Sequence, residues 1–395
     1  MCLRVCPTYR ISRLEADSPR GRISLIRALA RNELGLSPII ASHLDGCLNC
    51  RQCELICPAR VPYGELIDDA HATLRLRTLT PYYKQLLGTG IRAIVGARPM
   101  AWRLATRAVQ GKFVPRNALR RLGFAPTGDS GSNNIRPTGT VYEPFTPIRA
   151  DVALFLGCIA RIADSRTLRD ALFVLRMAGY RVHVPPQQRC CGALHWHQGY
   201  RQKARQLAQV NVAAFADLPI KHIVSTTTAC TAMLHAYAKA WPDDKRAVAL
   251  GDKTIDVTEL LSRQYIGRLP AMQARVVVHE PCTTRFASTS GRSLEMLRQL
   301  LDDLVLEVLP KDLSCCGAAG AHQLLRPTDA RAIRQDTLSA VARLNPDILV
   351  TSNVGCAMHL RSGLARTGSQ CDVLHPVSLI AQQLRTMQAN KVAPQ

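Results

Sequence analysis

The feature that most constrains this chain is a repeat of cysteines in its second half. Cys158, Cys190-Cys191 and Cys230 recur as Cys282, Cys315-Cys316 and Cys356, at offsets of 124, 125 and 126 residues. Their neighbours repeat as well. Cys190-Cys191-Gly192-Ala193 matches Cys315-Cys316-Gly317-Ala318, and Ile223-Val224-Ser225 ahead of Cys230 matches Leu349-Val350-Thr351 ahead of Cys356. A period held to within two residues at three landmarks means two copies of one domain. In the first copy, strands are expected at Asp151–Leu156, Arg181–Val184 and His222–Ser225, with helices over Thr167–Gly179 and Gly199–Leu218. In the second, strands are expected at Arg275–His279, Val305–Leu309 and Asp347–Thr351. Strands alternating with helices predict an α/β fold with a parallel sheet. Each cysteine position of the repeat then follows the carboxyl end of a strand, at the edge where open parallel sheets bind their ligands.

The chain has 395 residues, enough for two or three domains, and 47 % of them are apolar, which excludes wholesale disorder. The expected division is a mostly helical ferredoxin-type domain over 1–75, a basic helical connector and linker over 76–149, and the two repeated domains over 150–271 and 272–390. The fold class is thus α+β at the start and α/β beyond. The linker is expected at Thr127–Arg149, which is rich in Gly, Pro, Ser, Thr and Asn. No run of 18 apolar residues is present, so no membrane-spanning helix is expected, and Met1–Pro7 has no signal-peptide character. Fifteen cysteines in clusters, in a chain this long, do not resemble a small disulfide scaffold. They favour a soluble, cytoplasmic protein whose thiols hold metal. Cys371 stands outside the repeat and is expected to be a buried thiol.

The sharpest local signal is Cys47-x2-Cys50-x2-Cys53-x3-Cys57-Pro58, the spacing of a bacterial ferredoxin segment that binds [4Fe–4S]. Soft thiolates suit iron–sulfur clusters or zinc, and a structural zinc site more often joins two separated C-x2-C halves. In two-cluster ferredoxins the fourth cysteine of each motif ligates the other cluster. Cys47, Cys50 and Cys53 therefore need a partner from elsewhere, and Cys6-Pro7 supplies the matching ending. Cys2-x3-Cys6-Pro7 is the tail half of a second motif, whose first two cysteines are absent. Cys2 then pairs with Cys57 in a site that has two thiolates as written. The expectation is that the natural chain begins upstream of Met1, the alternative being that one cluster was lost.

In the repeat, adjacent cysteines fit one corner of a cubane poorly, but they can bridge irons in a less regular cluster. The glycine after them permits close backbone approach to an inorganic core. At least one copy is expected to hold a cluster or a redox-active thiol set; the competing reading is that these cysteines are small buried hydrophobes. His195, His197, His279, His322 and His359 lie near the cysteines in sequence and are expected to be core or surface residues, not ligands.

Several stretches now resemble a known family. They are Cys6-Pro7-Thr8-Tyr9, Ser18-Pro19-Arg20-Gly21-Arg22, His43-Leu44-Asp45-Gly46-Cys47-Leu48-Asn49-Cys50-Arg51-Gln52-Cys53, Pro281-Cys282-Thr283, Cys315-Cys316-Gly317-Ala318-Ala319-Gly320, Asn353-Val354-Gly355-Cys356 and His375-Pro376-Val377-Ser378-Leu379. Together with the two cysteine-cysteine-glycine domains, they resemble the iron–sulfur subunit of glycolate oxidase (glycolate dehydrogenase). The C subunit of anaerobic glycerol-3-phosphate dehydrogenase, lactate-oxidising relatives and heterodisulfide reductase subunits share the same domains. The resemblance implies two [4Fe–4S] clusters in the N-terminal domain, with Cys47, Cys50, Cys53 and Cys6 on one and Cys57 with Cys2 on the other. Through the heterodisulfide reductase relatives it also implies an additional cluster on the repeated cysteines. It implies an oxidoreductase subunit acting on CH–OH donors, with FAD-bearing partner subunits that oxidise glycolate to glyoxylate and a quinone or other acceptor beyond. The sequence shows no G-x-G-x-x-G after a strand, no P-loop and no Ser-His-Asp set, which fits a relay subunit with no catalytic residues of its own. A zinc-stabilised binding protein without redox chemistry is the rival class.

Lys and Arg number 51 against 29 Asp and Glu, a net charge of +22. Residues 70–128 contain no acid and carry 11 Arg and Lys. Anionic lipid head groups attract each such cation by about 1 kcal/mol. Leu86, Leu87, Ile91, Ile94, Val95, Trp102 and Leu104 offer an apolar face beside them. Peripheral contact with the cytoplasmic face of the inner membrane is therefore one expectation, and docking onto an acidic subunit another. No nucleic-acid-binding motif accompanies the charge, so nucleic acid is not expected as a partner.

Overall fold

The computed structural model describes residues 1–73, 139–264, 267–301, 304–310 and 315–392, with scattered positions between 88 and 123. Most of the basic connector lies outside the described residues, and with it Leu86, Leu87, Ile94, Val95, Trp102 and Leu104. Ile91 is described, and it packs half-buried against the core of the first repeated domain.

Strand β1 (Thr140–Tyr142) leads into the first repeated domain, where β2 (Ala150–Phe155), β3 (Tyr180–Val184), β4 (His222–Ser225) and β5 (Thr254–Asp256) form one sheet in the order β1-β3-β2-β4-β5. All pairings are parallel except that of β1 with β3. The second domain repeats the plan with β6 (Arg275–Val278), β7 (Val305–Val308), β8 (Ile348–Val350) and β9 (Asp372–Leu374), all parallel, in the order β7-β6-β8-β9. The central strands carry runs such as Val152–Phe155 and Val276–Val278 that are buried on both faces, as a sheet covered by crossover helices requires.

Two features depart from the sequence expectations. The segment expected as linker contains β1, which lays Thr140 opposite Val184 and Tyr142 opposite Val182 as an antiparallel edge. Strands β5 and β9 were not expected either. At three residues each, they are too short to show a periodicity, and they exist because β4 and β8 offer unpaired edges beside them.

The two copies share one core. Helix Ser165–Met177 of the first packs on helix Pro376–Val392 of the second, and Val257–Ser262 on Arg292–Leu300. Leu154, Leu175, Leu261, Met296, Leu297 and Ile380 are fully buried in this common layer. The N-terminal domain is built from helices Pro19–Ala30, Pro38–Asp45 and Tyr63–Thr73 around Leu44 and Ile67. The first two helices start alike: Ser18 and Ser37 accept from the amides of Gly21 and Ile40, and proline occupies the first turn.

Asp256 and His375 hold matching places in the two copies, Asp256 as the last residue of β5 and His375 directly after β9. Asp256 Oδ1 accepts from the amide and hydroxyl of Thr258, and His375 Nδ1 accepts from the amide of Val377. Burial pushes the Asp256 carboxyl up to about 6 and the His375 imidazole down to about 3. A carboxyl whose value rises on folding binds its proton more tightly in the folded chain. Its contribution is therefore full below the unfolded value near ~3.9 and is lost as pH rises through about 6. Asp256→Asn keeps the cap and removes this titration. The variant is expected to gain stability relative to the wild type between about pH 4 and pH 6, read as the difference in urea midpoints across that range.

Candidate metal centre

The repeat places its thiols as the topology requires. In the first copy Cys158 follows β2, Cys190 and Cys191 follow β3, and Cys230 opens the helix after β4. These three strands are neighbours in the sheet, so four cysteines spread over more than 70 residues meet at one edge. The Cys158 and Cys190 Sγ atoms lie 3.4 Å apart, and those of Cys191 and Cys230 3.5 Å apart. In the second copy Cys282 contacts Cys315, and Cys316 contacts Cys356.

The cysteine-cysteine-glycine turn explains the doubled residue. Gly192 and Gly317 adopt φ values of 89° and 84°, which glycine alone tolerates readily. The turn brings the amides of Ala193 and Ala318 onto the thiols of Cys191 and Cys316. Cys191 is held well below the ordinary thiol value by Cys190 and Cys230, which are themselves driven up, and Cys316 is lowered by Cys356 in the same way. In both copies the second cysteine of the pair is the one whose thiol is lowered. Asn211 and Tyr237 fix the first turn: Asn211 Nδ2 donates to the Cys190 carbonyl at 3.0 Å, and Tyr237 Oη to the Cys191 carbonyl at 2.8 Å.

In the N-terminal domain Cys6, Cys47, Cys50 and Cys53 line a cleft together with Arg22 and Tyr63. Tyr63 Oη donates to Cys47 Sγ at 3.5 Å, and the Asn49 amide reaches the same sulfur at 3.4 Å. The Arg22 guanidinium is buried; burial lowers its pKa, but Cys47, Tyr63, Cys6 and Asp17 carry it net upward. Burial drives the Cys47 and Cys53 thiols up. Cys2 is half-buried in a short helix, Cys2–Val5, that packs on Gln52–Leu55, and Cys57 is half-buried two residues further on. Cys371 is buried in the core of the second copy. His195, His279, His322 and His359 are buried, while His197 sits at the domain junction. Among the described residues no group of three or more His, Cys, Asp or Glu side chains is arranged to hold a single metal ion.

The N-terminal domain bridges both copies. On one side Asn49 Nδ2 donates to Asp68 Oδ1 at 2.7 Å, and His197 Nδ1 of the first copy lies 3.0 Å from the same oxygen. On the other, Arg285 donates to Gln52 Oε1 at 2.7 Å, and the Arg51 guanidinium lies 5.0 Å from the centre of the Phe286 ring. Here the Cys50 thiol contacts Cys315, which lowers Cys50 to about 7, while Cys282 and then Cys50 send Cys315 well up. Leu48, Cys50, Cys315 and Ile333 form one buried cluster across the junction.

Sequence reasoning did not single out Asn211, Tyr237, Tyr63, Asp68 or Arg22 for a role. Asn211 carried a usable signal, since an asparagine inside a helix usually serves a specific hydrogen bond. Arg22 stands in the Ser18–Arg22 stretch that carried the family resemblance.

The fit to an iron–sulfur group is chemical and geometric: four soft sulfur donors surround a cleft, with a buried cation beside them. Residues 1–61 match the 4Fe-4S dicluster domain, and residues 152–235 and 276–361 each match the cysteine-rich CCG domain. The chain thus joins a region that matches a dicluster domain to two that match the cysteine-rich domain. Over its length, it is 29 % identical to the glycolate oxidase iron-sulfur subunit of Escherichia coli, over 97 % of this chain and 92 % of that protein. It is 28 % identical to the probable glycolate oxidase iron-sulfur subunit of Bacillus subtilis, over 93 % and 88 %. Lactate utilization protein A of Halalkalibacterium halodurans is 25 % identical over 60 % of this chain and 98 % of its own length. The chain is an iron–sulfur protein of electron transfer, and no helix among its described residues is long and apolar enough to cross a membrane.

Asp68 is the hinge-pin of the first junction. Its side chain is 2 % exposed; burial raises its carboxyl, yet His197 and Arg51 bring it net below the ordinary value. Its contribution is present at neutral pH and lost as pH falls through that lowered value. Asp68→Ala is expected to cost about 1–3 kcal/mol and to free the N-terminal domain, seen as faster hydrogen exchange at residues 193–200 with the second sheet unaffected.

Proposed function

We propose that this chain is the electron-carrying iron–sulfur subunit of a glycolate-oxidising dehydrogenase complex. The contact of Cys50 with Cys315 carries the proposal: a thiol of the ferredoxin-type motif touches the thiol set of the second repeated domain inside one buried cluster. Oxidation of glycolate to glyoxylate releases two electrons and two protons. The sequence has no nucleotide-binding fingerprint, so the hydride goes to FAD in partner subunits. Iron–sulfur groups, when bound, supply one-electron carriage.

Cys6, Cys47, Cys50 and Cys53 are the ligands of one [4Fe–4S] cluster, and Cys2 with Cys57 serve a second. Cys282, Cys315, Cys316 and Cys356 hold a further group, as do Cys158, Cys190, Cys191 and Cys230 in the first copy. The domain limits that go with this reading fall near 75, 150 and 272. The chain's own residues keep water from the donor sets: Cys190, Cys191, Cys315 and Cys316 are buried. A low-dielectric path limits the reorganisation that accompanies each charge movement. The acid-free basic stretch from Arg75 to Arg121 lies against the cytoplasmic face of the membrane, where a quinone takes the electrons.

Protein purified without oxygen is expected to be brown, to contain iron and sulfide, and to give an electron paramagnetic resonance signal after dithionite. Cys50→Ser should remove most of the N-terminal signal. Cys315→Ser should retain it yet stop glycolate-dependent dye reduction in the complex with the flavin subunits. A colourless, iron-free preparation rules the proposal out, and undiminished dye reduction by Cys315→Ser rules out the route.

A further inference from the structure

Among the described residues Arg22 is the largest side chain that is wholly buried, at 1 % exposure. Its Nε donates to the His43 carbonyl at 2.7 Å, and one terminal nitrogen donates to Thr8 Oγ1 at 3.0 Å. The other terminal nitrogen stands 3.6 Å from Asp17 Oδ1, makes no hydrogen bond among the described residues, and belongs to the side chain that lines the cleft with Cys6, Cys47 and Cys53. A buried donor left unmet costs about 1–3 kcal/mol. An arginine kept only for packing would be expected to spend that nitrogen on protein.

The backbone presets this placement. Ser18 caps the helix that carries Arg22, and a Cβ at Gly21 would lie 2.0 Å from the Glu15 carbonyl oxygen, so the chain is pressed against its neighbour one residue earlier. Arg51, the other cation of the cleft, is already engaged with Asp68 at 3.5 Å and with the Phe286 ring. Arg22 is thus the cation whose free N–H is available to the cleft.

We propose that Arg22 sets the reduction potential of the group held by Cys6, Cys47, Cys50 and Cys53, raising it through a fixed positive charge and an N–H kept for sulfur. This rests on the reading that those four thiols hold a [4Fe–4S] cluster. Reduction adds one negative charge to the group. A guanidinium cannot shed its proton in response, and in a buried site its attraction for that charge is weakly screened. The reduced form is stabilised more than the oxidised form, so the midpoint moves up. Net charge and hydrogen bonds to sulfur are established levers on such potentials. Asp17, whose Oδ1 stands 3.6 Å from the same nitrogen, offsets part of the effect.

The test is an anaerobic redox titration of the full chain, followed by electron paramagnetic resonance, on wild type, Arg22→Gln, Arg22→Lys and Asp17→Asn. In Arg22→Gln the reduced-to-oxidised ratio at a fixed potential should fall at least tenfold, which for one electron is about 59 mV. Iron content and line shape should remain those of the wild type. Arg22→Lys, which keeps the charge and loses the fork, should fall between. Asp17→Asn should shift the midpoint the opposite way. An unchanged midpoint in iron-loaded Arg22→Gln overturns the proposal. Should Arg22→Gln fail to retain iron, Asp17→Asn decides: an upward shift supports the proposal and no shift overturns it. Absence of any iron–sulfur signal in the wild type fails the cysteine reading itself, and the proposal with it.

Discussion

Parallel pairing of three adjacent strands is the constraint on which the rest of this molecule depends. β3, β2 and β4 in the first copy, and β7, β6 and β8 in the second, run in one direction because helical crossovers return the chain to the starting edge each time. All their carboxyl ends then face one way. A cysteine placed shortly after each strand meets the others without any local sequence relation. The thiol sets are products of topology, and the turns after the strands only aim them.

The two copies are alike in plan and unlike in neighbours. The N-terminal domain reaches the first copy through a polar junction, Asn49 and Asp68 against His197, and the second through Cys50 on Cys315, Arg285 on Gln52 and Arg51 over Phe286. A third polar cluster ties the copies to each other. Thr228 Oγ1 lies 2.6 Å from Thr283 Oγ1, and Asn353 Nδ2 donates to Thr283 Oγ1 at 3.0 Å. These residues stand within three positions of Cys230, Cys282 and Cys356 in sequence, so the loops that carry thiols in both copies are held in one hydrogen-bonded frame. With the common apolar layer beneath, the spacing between the donor sets is fixed by the core and not by a flexible hinge.

The sequence made the architecture legible where the signal was repeated or long. The 124–126-residue period and the helices Ser165–Met177 and Arg201–Phe215 follow from patterns that span many residues, and the six strands ahead of the cysteines, the three-residue β8 among them, follow from their matching places in the repeat. It was silent where a feature is short or arises from pairing. β1 hides in a Gly- and Pro-rich stretch, and β5 and β9 are three residues each. Charged and polar residues that serve the site from inside were equally hidden. Arg22 and Asp68 carry no periodic signal that separates them from surface charges, and only the fold shows that both are buried. The Cys50–Cys315 contact joins positions 265 residues apart and lies beyond any local rule.

The doubled cysteine is best understood from these distances. Cys158 and Cys230 sit after different strands, and a single residue after β3 cannot face both. Two adjacent residues can: Cys190 meets Cys158, and Cys191 meets Cys230. The positive-φ glycine that follows turns the chain so that the next amide supports the second thiol. A thiolate buried without compensation is expensive, yet Cys191 and Cys316 are the members drawn low, each by the thiols and the amide around it. In each copy the lowered thiol thus sits beside one that is driven up, Cys230 beside Cys191 and Cys356 beside Cys316. A metal takes thiols as thiolates and releases their protons, so the loading of such a site depends on pH.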